Sequence, residues 1–553
     1  MQQHFSATKQ QKLRQHLMAA ALVALVFFLT YGLYGIQYRT NDDATLANLA
    51  AGTYGDSLHL VYVNVLFSLA LRPLYALAPG MNWYVLVQIG LVYLAAVMLT
   101  DLALEKLGTL KGSLLSLTVM LPFAYVLLYR FQYVHNSGIL LATGLILIAT
   151  DLGRCRGRTI AGIFLAFVGS LLRWPNFLAI GGLSAALLLG RFFQLDRDGQ
   201  KKAVATMLAF FVLVFGAKGL DSWYYQQDSD WQYFTDYNDA RTAFSDYAIY
   251  HLDGDPMTYT AEGFSLTETN MLARWDFYDP AVYTPEKIQA AAAAIPRRPL
   301  TTAIKSTIKT GISLFRGILP HYLFAGLLLF ALLALRWNRR ALPFLGTLGL
   351  FGGMLFYLNY LNRFPDYVEL PLFLALVLDL IFCLSLADLR FPLHPGILVG
   401  ALATILVLIV PHIADRRVYS QAHRQAAAAE EVYFAQMEQD KDHLYLLATD
   451  AVSVCAGQDV LHPRPKDFYS NVVHYGGWLS GAPFCTQAMA AYGVTRPLVD
   501  SVDNDAVYLG YHGIDYVVAY VSEQLGCQVE AVDCGPNAFA PYQLRRVINT
   551  PVA

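Results

Sequence analysis

The chain has 553 residues, of which 56% are hydrophobic and only 14% are charged, and its mean hydropathy is +0.40. Soluble domains carry about 25% charged residues, so this chain has too little charge to cover a surface that faces water on all sides. Its formal net charge is −2, and no basic domain or basic aromatic strip appears, which argues against nucleic-acid binding. The composition predicts an integral membrane protein.

Apolar runs approaching the length that a membrane-crossing helix needs, about 20 residues, recur along the chain. About eleven spans are predicted, near residues 18–36, 83–104, 112–129, 137–151, 159–172, 176–192, 203–220, 319–336, 341–361, 367–388 and 394–413. The segment 159–192 is divided at Arg173-Trp174-Pro175-Asn176. One helix of that length would overshoot the membrane, and the proline would interrupt its hydrogen bonds.

Cations are concentrated in alternate connections between these spans. One set of connections contains Lys9, Lys12, Arg14, Lys106, Lys111, Arg154, Arg156, Arg158, Arg191, Arg197, Lys201, Lys202, Arg336, Arg339, Arg340 and Arg390. This positive-inside asymmetry predicts a multi-pass protein of the cell membrane with a cytoplasmic N-terminus, and no cleavable signal peptide is evident. An odd number of spans places loop 37–82, loop 221–318 and segment 415–553 together outside. Two domains are therefore predicted: a transmembrane domain at 1–414 and a soluble extracytoplasmic α/β domain at 415–553.

The first outer loop begins with two adjacent carboxylates, Asp42 and Asp43, just after the first span. Ionisable groups at the depth of lipid headgroups are costly unless they are solvated or used, and an aspartate can act as a general base. Alternatively, Asn41 and Asp42 cap the helix that follows. Further along, the apolar run 59–78 would invert all later loop charges if it were a span. It is therefore predicted to be a helix lying in the outer interface.

The second outer loop, 221–318, interleaves aromatic residues with Asp, Asn and Arg. This pattern suits sugar recognition, because rings stack on pyranose faces while polar groups hold hydroxyls. The candidates for acceptor or sugar binding are Trp231, Tyr237, Asp239, Arg241 and Asp246. The same composition equally suits an aromatic belt at the membrane interface, and that alternative stays open.

In the third outer segment, a helix at 414–439 and strand-like runs at 444–447, 506–509 and 516–520 predict a small α/β domain. The turn at Gly476-Gly477-Trp478 suits a glycan contact or, more simply, a core tryptophan. The cysteines of this segment are Cys455, Cys485, Cys527 and Cys534. They form two disulfides in one of three connectivities or stay unpaired, and no CxxC pair suggests zinc.

The acidic pair in Asn41-Asp42-Asp43, next to the first helix and followed by an interfacial helix, many spans and a C-terminal soluble segment, resembles the type-C (GT-C) integral membrane glycosyltransferases. The segments 237–241, 244–247 and 272–275 are also similar to an uncharacterised family of multi-pass membrane proteins from Gram-positive gut bacteria, which brings no established activity. The first resemblance implies inverting transfer of a sugar from a polyprenyl-phosphate donor to an extracytoplasmic cell-envelope glycan, lipid or protein. It also implies that Asp43 or Asp42 acts as the general base or orients the acceptor.

Outward-facing cations near helix ends could stabilise the departing lipid phosphate. Arg173, Arg363 and Arg130 are predicted for this role, with structural or headgroup-anchoring roles as the alternative. Some branches of the superfamily use a divalent cation such as Mg²⁺ or Mn²⁺, but no second carboxylate cluster marks a metal site here. Two other hypotheses stay open: a transporter or flippase of a lipid-linked glycan, for which Asp379 alone lies near a span centre, and a non-enzymatic envelope scaffold or sensor.

Overall fold

The computed structural model describes residues 2–124, 128–154, 156–252, 255–315, 317–448, 458–511, 513–534 and 541–547. Its α-helices are, in chain order, α1 (Gln2–Tyr34), α2 (Asn41–Ala51), α3 (Val65–Leu77), α4 (Trp83–Leu107), α5 (Thr109–Ala124), α6 (Tyr133–Thr150), α7 (Gly157–Leu172), α8 (Trp174–Leu183), α9 (Ala185–Phe192), α10 (Arg197–Tyr225), α11 (Ser229–Arg241), α12 (Leu266–Ala273), α13 (Pro285–Ala294), α14 (Leu300–Ser313), α15 (Leu319–Ala334), α16 (Leu342–Tyr360), α17 (Asp366–Leu386), α18 (Pro395–Gln439), α19 (Pro483–Ala490) and α20 (Asp515–Leu525). Its strands are β1 (Gln37–Tyr38), β2 (Arg130–Phe131), β3 (Leu444–Ala448), β4 (Val472–Tyr475), β5 (Val507–Gly510), β6 (Val529–Asp533) and β7 (Pro541–Arg546).

Several of these helices are suited to cross a membrane. In the described part of the chain, six are long and apolar enough by themselves: Gln10–Tyr34, Trp83–Leu107, Tyr133–Thr150, Arg197–Tyr225, Arg339–Tyr360 and Asp366–Leu386. The pair α8 and α9, bent by 48°, makes a seventh if it is one span. The other predicted spans correspond to shorter apolar helices, namely α5, α7, α15 and the first part of α18. The chain is therefore a polytopic helical membrane protein, and the total of about eleven spans stays a prediction.

The predicted division of segment 159–192 is confirmed. Arg173 lies between α7 and α8 in an extended conformation, with φ −154° and ψ 103°. Pro175 occupies the first turn of α8, where its missing N–H costs no intrahelical hydrogen bond. The break places the arginine side chain at the junction of the two helices.

Helix α6 lies at the centre of the bundle, where every one of its residues is buried and α7, α17 and α4 pack around it. Two glycines allow the closest approach: a Cβ on Gly144 would lie 2.5 Å from the carbonyl oxygen of Gly162, and a Cβ on Gly162 would lie 2.6 Å from that of Gly144. Small residues at such crossings are typical of membrane helices because they let backbones meet. This packing fixes the N-terminus of α6, which begins at Tyr133.

The helix predicted at 59–78 is shorter than expected. Residues 59–64 are not helical, and α3 begins at Val65 because the Asn64 side chain accepts a hydrogen bond from Leu66 N at 3.0 Å and so caps the helix. Next to this loop, β1 pairs in parallel with β2, with Gln37 opposite Arg130. The position of α3 in the membrane interface stays a prediction.

Helix α18 is continuous for 45 residues, so the last predicted span and the helix predicted at 414–439 are one element. A five-stranded mixed sheet follows, in the order β4-β3-β5-β7-β6. Strands β3 and β5 lie where the sequence predicts strands, but the strand predicted at 516–520 is wrong. That segment lies in α20, where Val517, Tyr520 and Val521 bury one face at helical spacing.

The cysteines give an incomplete answer on disulfides. Cys485 is buried, Cys527 and Cys534 are exposed, and all three carry free thiols. Cys455 lies outside the described residues.

The division of the chain into domains 1–414 and 415–553 stays a prediction.

The three large segments that the sequence predicts to lie outside contact one another. Asn48 of the first loop and Gln458 of the C-terminal segment exchange two amide hydrogen bonds of 3.1 and 2.6 Å. In the second loop, Asp279 accepts bonds of 3.0 and 2.8 Å from Nε and Nη2 of Arg496. All three pieces therefore lie at the same end of the helical bundle.

Candidate active site

Asp42 lies in the first turn of α2, and its Oδ1 accepts a hydrogen bond of 2.6 Å from the indole Nε1 of Trp478. Burial raises the pKa of Asp42 above its ordinary value, and the hydrogen bond from Trp478 opposes that shift. The charges of Arg173 and Arg241 also lower this pKa, and the charge of Asp246 raises it. As a whole residue, Asp42 is half-buried.

Asp43 is fully buried. Its Oδ1 accepts a hydrogen bond of 2.9 Å from the backbone N–H of Tyr133, the first residue of α6, and its Oδ2 accepts one of 2.8 Å from the Thr40 hydroxyl. Burial raises the pKa of Asp43 to about 8, although both hydrogen bonds lower it. Asp43 therefore joins the first outer loop to the N-terminus of α6, and at neutral pH it is mostly protonated.

Arg173 is a cation whose charge acts on Asp42. Its guanidinium carbon lies 4.9 Å from the ring centroid of Tyr62 and 5.8 Å from that of Tyr133, distances at which a cation is attracted to a ring face. Within the described residues, no hydrogen bond or ion pair shorter than 4.0 Å engages the guanidinium. Its five donors remain available to an anion.

Two further arginines share one carboxylate. Nη1 of Arg241 lies 3.6 Å from Oδ2 of Asp246, and Nη2 of Arg363 lies 3.2 Å from Oδ1 of the same aspartate. Arg363 Nη1 also donates a hydrogen bond of 3.2 Å to the backbone carbonyl of Asp246. We refer to Asp42, Arg173, Arg241, Asp246 and Arg363 as the arginine cluster.

The second outer loop holds Arg241 in place. Only 1% of its surface is exposed; Nε donates to Asn238 at 3.0 Å and Nη2 donates to the Thr242 hydroxyl at 2.8 Å. Its guanidinium lies 4.8 Å from the ring centroid of Trp275. The chain from α11 continues through a π-helical turn, Thr242–Tyr247, which brings Asp246 back beside Arg241.

The turn between α16 and α17 holds Arg363. Its backbone N–H donates to the carbonyl of Leu358 at 3.0 Å, and Asn362 before it has a positive φ of 52°, a conformation that asparagine tolerates better than most residues. An ion pair between Arg39 and Asp366 connects this turn to the first outer loop. The cluster thus draws on segments far apart in the chain.

Arg130, also predicted to meet the lipid phosphate, is placed differently. It lies in β2, opposite Gln37, and its side chain makes no hydrogen bond or ion pair with any residue that the structure describes. The structure therefore brings Arg173 and Arg363 into the cluster but shows no contact between Arg130 and the cluster.

Of the five predicted sugar-binding residues, only Arg241 and Asp246 lie in the cluster. Trp231 is 5% exposed and stacks on His59 with ring centroids 4.0 Å apart. Tyr237 is 1% exposed and donates its hydroxyl to the carbonyl of Phe277 at 2.5 Å. In contrast to the prediction, both rings are packed inside the protein rather than presented to a ligand.

Asp239 is exposed on α11 and makes no hydrogen bond or ion pair with a described residue. It lies two residues from Arg241 in the chain, but the helix directs neighbouring side chains to different faces.

Two residues of the site, Tyr62 and Trp275, were assigned no role from the sequence, whereas Trp478 was assigned either a glycan contact or a position in the core. The ring of Tyr62 lies 4.8 Å from that of Trp478, beside Asp42. Trp275 has a positive φ of 70°, and its carbonyl accepts a hydrogen bond of 2.8 Å from Gly477 N. Only the Gly476-Gly477 pair before Trp478 signalled an unusual backbone: both glycines have positive φ, 90° and 70°, which favours glycine.

The residues present do not fit a divalent cation. No group of three or more His, Cys, Asp or Glu side chains is arranged to hold a metal ion in the described part of the chain. Asp43 is committed to hydrogen bonds with Tyr133 and Thr40. Asp42 and Asp246, the other two carboxylates of the site, each lie close to arginines, whose positive charge would repel Mg²⁺ or Mn²⁺.

Comparison with known proteins gives one match. No protein-family model matches the chain, and no curated protein matches it. A solved structure, that of ArnT from Cupriavidus metallidurans bound to undecaprenyl phosphate, is similar over 96% of this chain and 97% of that chain, with 13% sequence identity and a TM-score of 0.39. Values this low do not establish a shared fold or activity. The likeness to the family from Gram-positive gut bacteria finds no support in these comparisons.

Proposed function

We propose that the chain is a membrane glycosyltransferase of the type-C kind, which moves a sugar from a polyprenyl-phosphate donor to an extracytoplasmic cell-envelope acceptor. The observation that carries this proposal is the grouping of a half-buried aspartate, Asp42, with three arginines at one end of the bundle. A glycosyl transfer from a lipid phosphate needs a base for the acceptor hydroxyl and cations for the leaving phosphate. The acidic pair after the first helix supports the same assignment.

The charge of the arginine cluster matches a monophosphate-linked donor. Arg173, Arg241 and Arg363 contribute +3, and Asp42 and Asp246 contribute −2, while burial keeps Asp43 mostly protonated. The cluster therefore has a net charge of +1 before reaction. A sugar joined to a polyprenol through one phosphate is a diester with a single negative charge, so the two charges balance.

The balance persists through the reaction. The acceptor oxygen forms a bond to the anomeric carbon, on the face opposite the phosphate, and the bond from that carbon to the phosphate oxygen breaks with its electron pair going to the phosphate. The hydroxyl proton passes to Asp42. The cluster then has a charge of +2, and the released polyprenyl phosphate gains a second negative charge. Attack from the opposite face makes the transfer inverting.

Within the acidic pair, we assign the base to Asp42 and a positioning role to Asp43. Asp42 is half-buried, and Trp478 donates a hydrogen bond to one of its oxygens. Asp43 is fully buried, and both of its oxygens accept hydrogen bonds, from Tyr133 and Thr40. Arg173 is the principal ligand of the phosphate, because its guanidinium forms no ion pair within 4.0 Å with a carboxylate that the structure describes. Arg363 and Arg241 share Asp246 and hold the rest of the phosphate charge, while membrane lipids surround the polyprenyl chain.

Envelope glycans from a deletion strain test this proposal. Mass spectrometry of the glycans from this strain identifies the sugar that is missing. Expression of the wild-type protein in the deletion strain is expected to restore that sugar. Asp42→Asn keeps the shape but cannot accept a proton, so product is expected to fall about 10²-fold or more. Arg173→Gln is expected to lower product as well, whereas Asp239→Asn, on the exposed face of α11, is the matched control. Wild-type product from Asp42→Asn at normal expression would remove the catalytic assignment.

A second candidate function is transport of a lipid-linked glycan. One observation favours it: Asp379 is fully buried in α17, and its Oδ2 accepts a hydrogen bond of 2.8 Å from Ser184, at the 48° bend between α8 and α9. A buried carboxylate beside a broken helix is a feature of transporters. If Asp379→Asn abolishes product and Asp42→Asn does not, transport replaces transfer. If both variants are active, the scaffold or sensor hypothesis remains.

A further inference from the structure

A large cavity lies inside the helical bundle, away from the arginine cluster. It measures about 920 Å³ and lies between α1, α4, α5, α6, α9, α15, α17 and α18, at the upper end of the range of about 300–1,000 Å³ that ligand pockets span. Most of its lining is apolar and includes Val92, Leu99, Phe123, Leu374 and Phe382. None of the five residues of the arginine cluster lines it. We refer to it as the bundle cavity.

The bundle cavity is long enough to follow a lipid chain. Its lining on α5 extends from Lys111 to Ala124, about 20 Å at 1.5 Å per residue, against a hydrocarbon core of about 30 Å. Volume divided by length gives a mean cross-section of about 46 Å². Carbon atoms in contact lie about 4 Å apart, so one hydrocarbon chain occupies on the order of 20 Å². The cavity therefore has room for two chains side by side.

One end of the bundle cavity is cationic. Lys106, Lys111 and Arg191 line it where α4 ends, α5 begins and α9 ends. Neither lysine makes a hydrogen bond or ion pair with a described residue. Arg191 donates to Gln194 through Nη1 at 3.2 Å, and its buried Nε has no partner within the described chain.

The acidic residues near this end do not cancel the charge. Glu105 forms an ion pair with Arg158. The negative charge of Asp151 attracts Arg191, but the positive charge of Arg154 repels it. The positive-inside pattern assigns the same end to the cytoplasmic face. The surplus of positive charge thus meets the leaflet that carries most anionic lipid.

We propose that the bundle cavity binds an anionic diacyl phospholipid of the cytoplasmic leaflet. Its phosphate lies against Lys106, Lys111 and Arg191, and its two acyl chains follow α5 and α17. Basic pockets between membrane helices on this side suit such headgroups. The bound lipid would connect helices from both halves of the chain, so it stabilises the fold independently of the proposed transfer.

Native mass spectrometry of the delipidated full-length protein tests this site. The probes are phosphatidylglycerol, phosphatidylcholine and undecaprenyl phosphate, each added to protein in a neutral detergent. Phosphatidylglycerol is expected to bind at least tenfold more tightly than phosphatidylcholine and to raise the unfolding temperature. Equal retention of phosphatidylcholine would overturn the proposal. Retention of undecaprenyl phosphate that Arg173→Gln leaves unchanged, in preference to phosphatidylglycerol, would also overturn it, because the lipid phosphate would then occupy the bundle cavity rather than the arginine cluster.

Two kinds of variant locate the lipid. Removing the three cations, as Lys106→Gln, Lys111→Gln and Arg191→Gln together, is expected to weaken phosphatidylglycerol binding about tenfold or more. Its matched control removes three cations from the same face that do not line the cavity, as Arg339→Gln, Arg340→Gln and Arg390→Gln. Equal losses from both triple variants would contradict the proposal.

The second kind of variant fills the cavity without changing charge. Gly326 lines the cavity on α15, and a Cβ there meets no atom within 4 Å, so Gly326→Leu adds bulk without a backbone clash and favours the helix. Gly349 on α16 is equally open and lies outside the lining, so Gly349→Leu is its control. Gly326→Leu is expected to exclude lipid while the control retains it. Full lipid retention by Gly326→Leu would place the lipid elsewhere.

Discussion

Trp478 controls the ionisation of Asp42 more directly than any charge in the cluster. Its indole N–H donates to the carboxylate at 2.6 Å, and a hydrogen bond to a charged group contributes about 1.5–3 kcal/mol. Burial acts in the opposite direction and raises the pKa of Asp42. The indole therefore preserves the basic form of a carboxylate that its surroundings tend to protonate.

Trp478→Phe keeps a ring beside Tyr62 but removes the donor. The pKa of Asp42 then rises further, and the acid limb of the pH–activity profile moves to higher pH, because activity requires the carboxylate. At neutral pH we expect activity to fall about tenfold, in line with the loss of a charge-assisted hydrogen bond. The measurement is product formation across pH 5–9. A uniform loss at every pH, with no movement of the acid limb, would show that Trp478 has only a packing role.

Asp43 predicts a dependence of stability on pH. Burial raises its pKa from 3.8 to about 8, so the folded state holds a proton that the unfolded state releases. The stabilisation from Asp43 is complete below pH 4 and is lost as pH rises through about 8, at most about 1.4 kcal/mol per pH unit. Asp43→Asn does not titrate and retains an acceptor for Tyr133 N–H.

The unfolding temperatures of wild type and Asp43→Asn across pH 5–9 measure this effect. We expect the unfolding temperature of Asp43→Asn to rise relative to that of wild type as pH increases, with the largest difference near pH 9. Parallel curves would mean that Asp43 does not change its protonation on folding. Retained activity in this variant would agree with a positioning role for Asp43.

At the level of elements, the second outer loop is attached to the C-terminal sheet by a buried carboxylate. Asp279 is 3% exposed and accepts hydrogen bonds from Arg496 and from the Tyr520 hydroxyl, the latter at 2.9 Å. Asp279→Ala leaves both donors without their partner, which costs about 3 kcal/mol for a buried pair. We expect a clear fall in the unfolding temperature.

Asp505→Ala is the matched control for that variant. Asp505 pairs with Arg545 at 2.5 Å, but its side chain is 88% exposed, and exposed pairs contribute about 0–1 kcal/mol. Its unfolding temperature is expected to stay close to wild type. Similar temperatures for Asp279→Ala and Asp505→Ala would show that the second loop and the sheet are not coupled through Asp279.

The sequence predicted the elements where one physical signal dominates. Hydropathy located the bundle helices, and Pro175 marked the break at Arg173. At 516–520, the same valines and tyrosines suit a strand or a helix, and only burial against the sheet decides for α20. The start of α3 depended on a side-chain cap by Asn64, which the hydropathy of the segment hides.

The site was predictable only in part, because its residues meet through tertiary contacts. Asp42 and Arg173 were identifiable from charges near helix ends. Trp478 is 436 positions from Asp42, and no local pattern joins them. Tryptophan is a residue type that stacks on sugars, but the ring of Trp231 stacks on His59 instead. That contact arises from tertiary packing and has no local sequence signal.

At the scale of the whole molecule, the proposed chemistry requires one compartment for three distant segments. Contacts between Asp42 and Trp478, Asn48 and Gln458, and Asp279 and Arg496 join the two outer loops to the C-terminal segment. At the other end, the connections after α15 and α17 contact each other through an isolated antiparallel β-bridge between Leu335 and Leu389. The bundle thus separates a face with the site from a face with short connectors.

Cysteine labelling of spheroplasts tests which face is outside. In a background without native cysteines, single cysteines are placed at the exposed positions Met81 and Glu530, on the site face, and at Arg340, on the opposite face. A membrane-impermeant maleimide is expected to label positions 81 and 530 in intact spheroplasts and position 340 only after lysis, because the positive-inside pattern holds the cationic connections in the cytoplasm. Labelling of 81 and 530 only after lysis would place the site in the cytosol, and the transfer from an extracytoplasmic lipid phosphate would then be impossible.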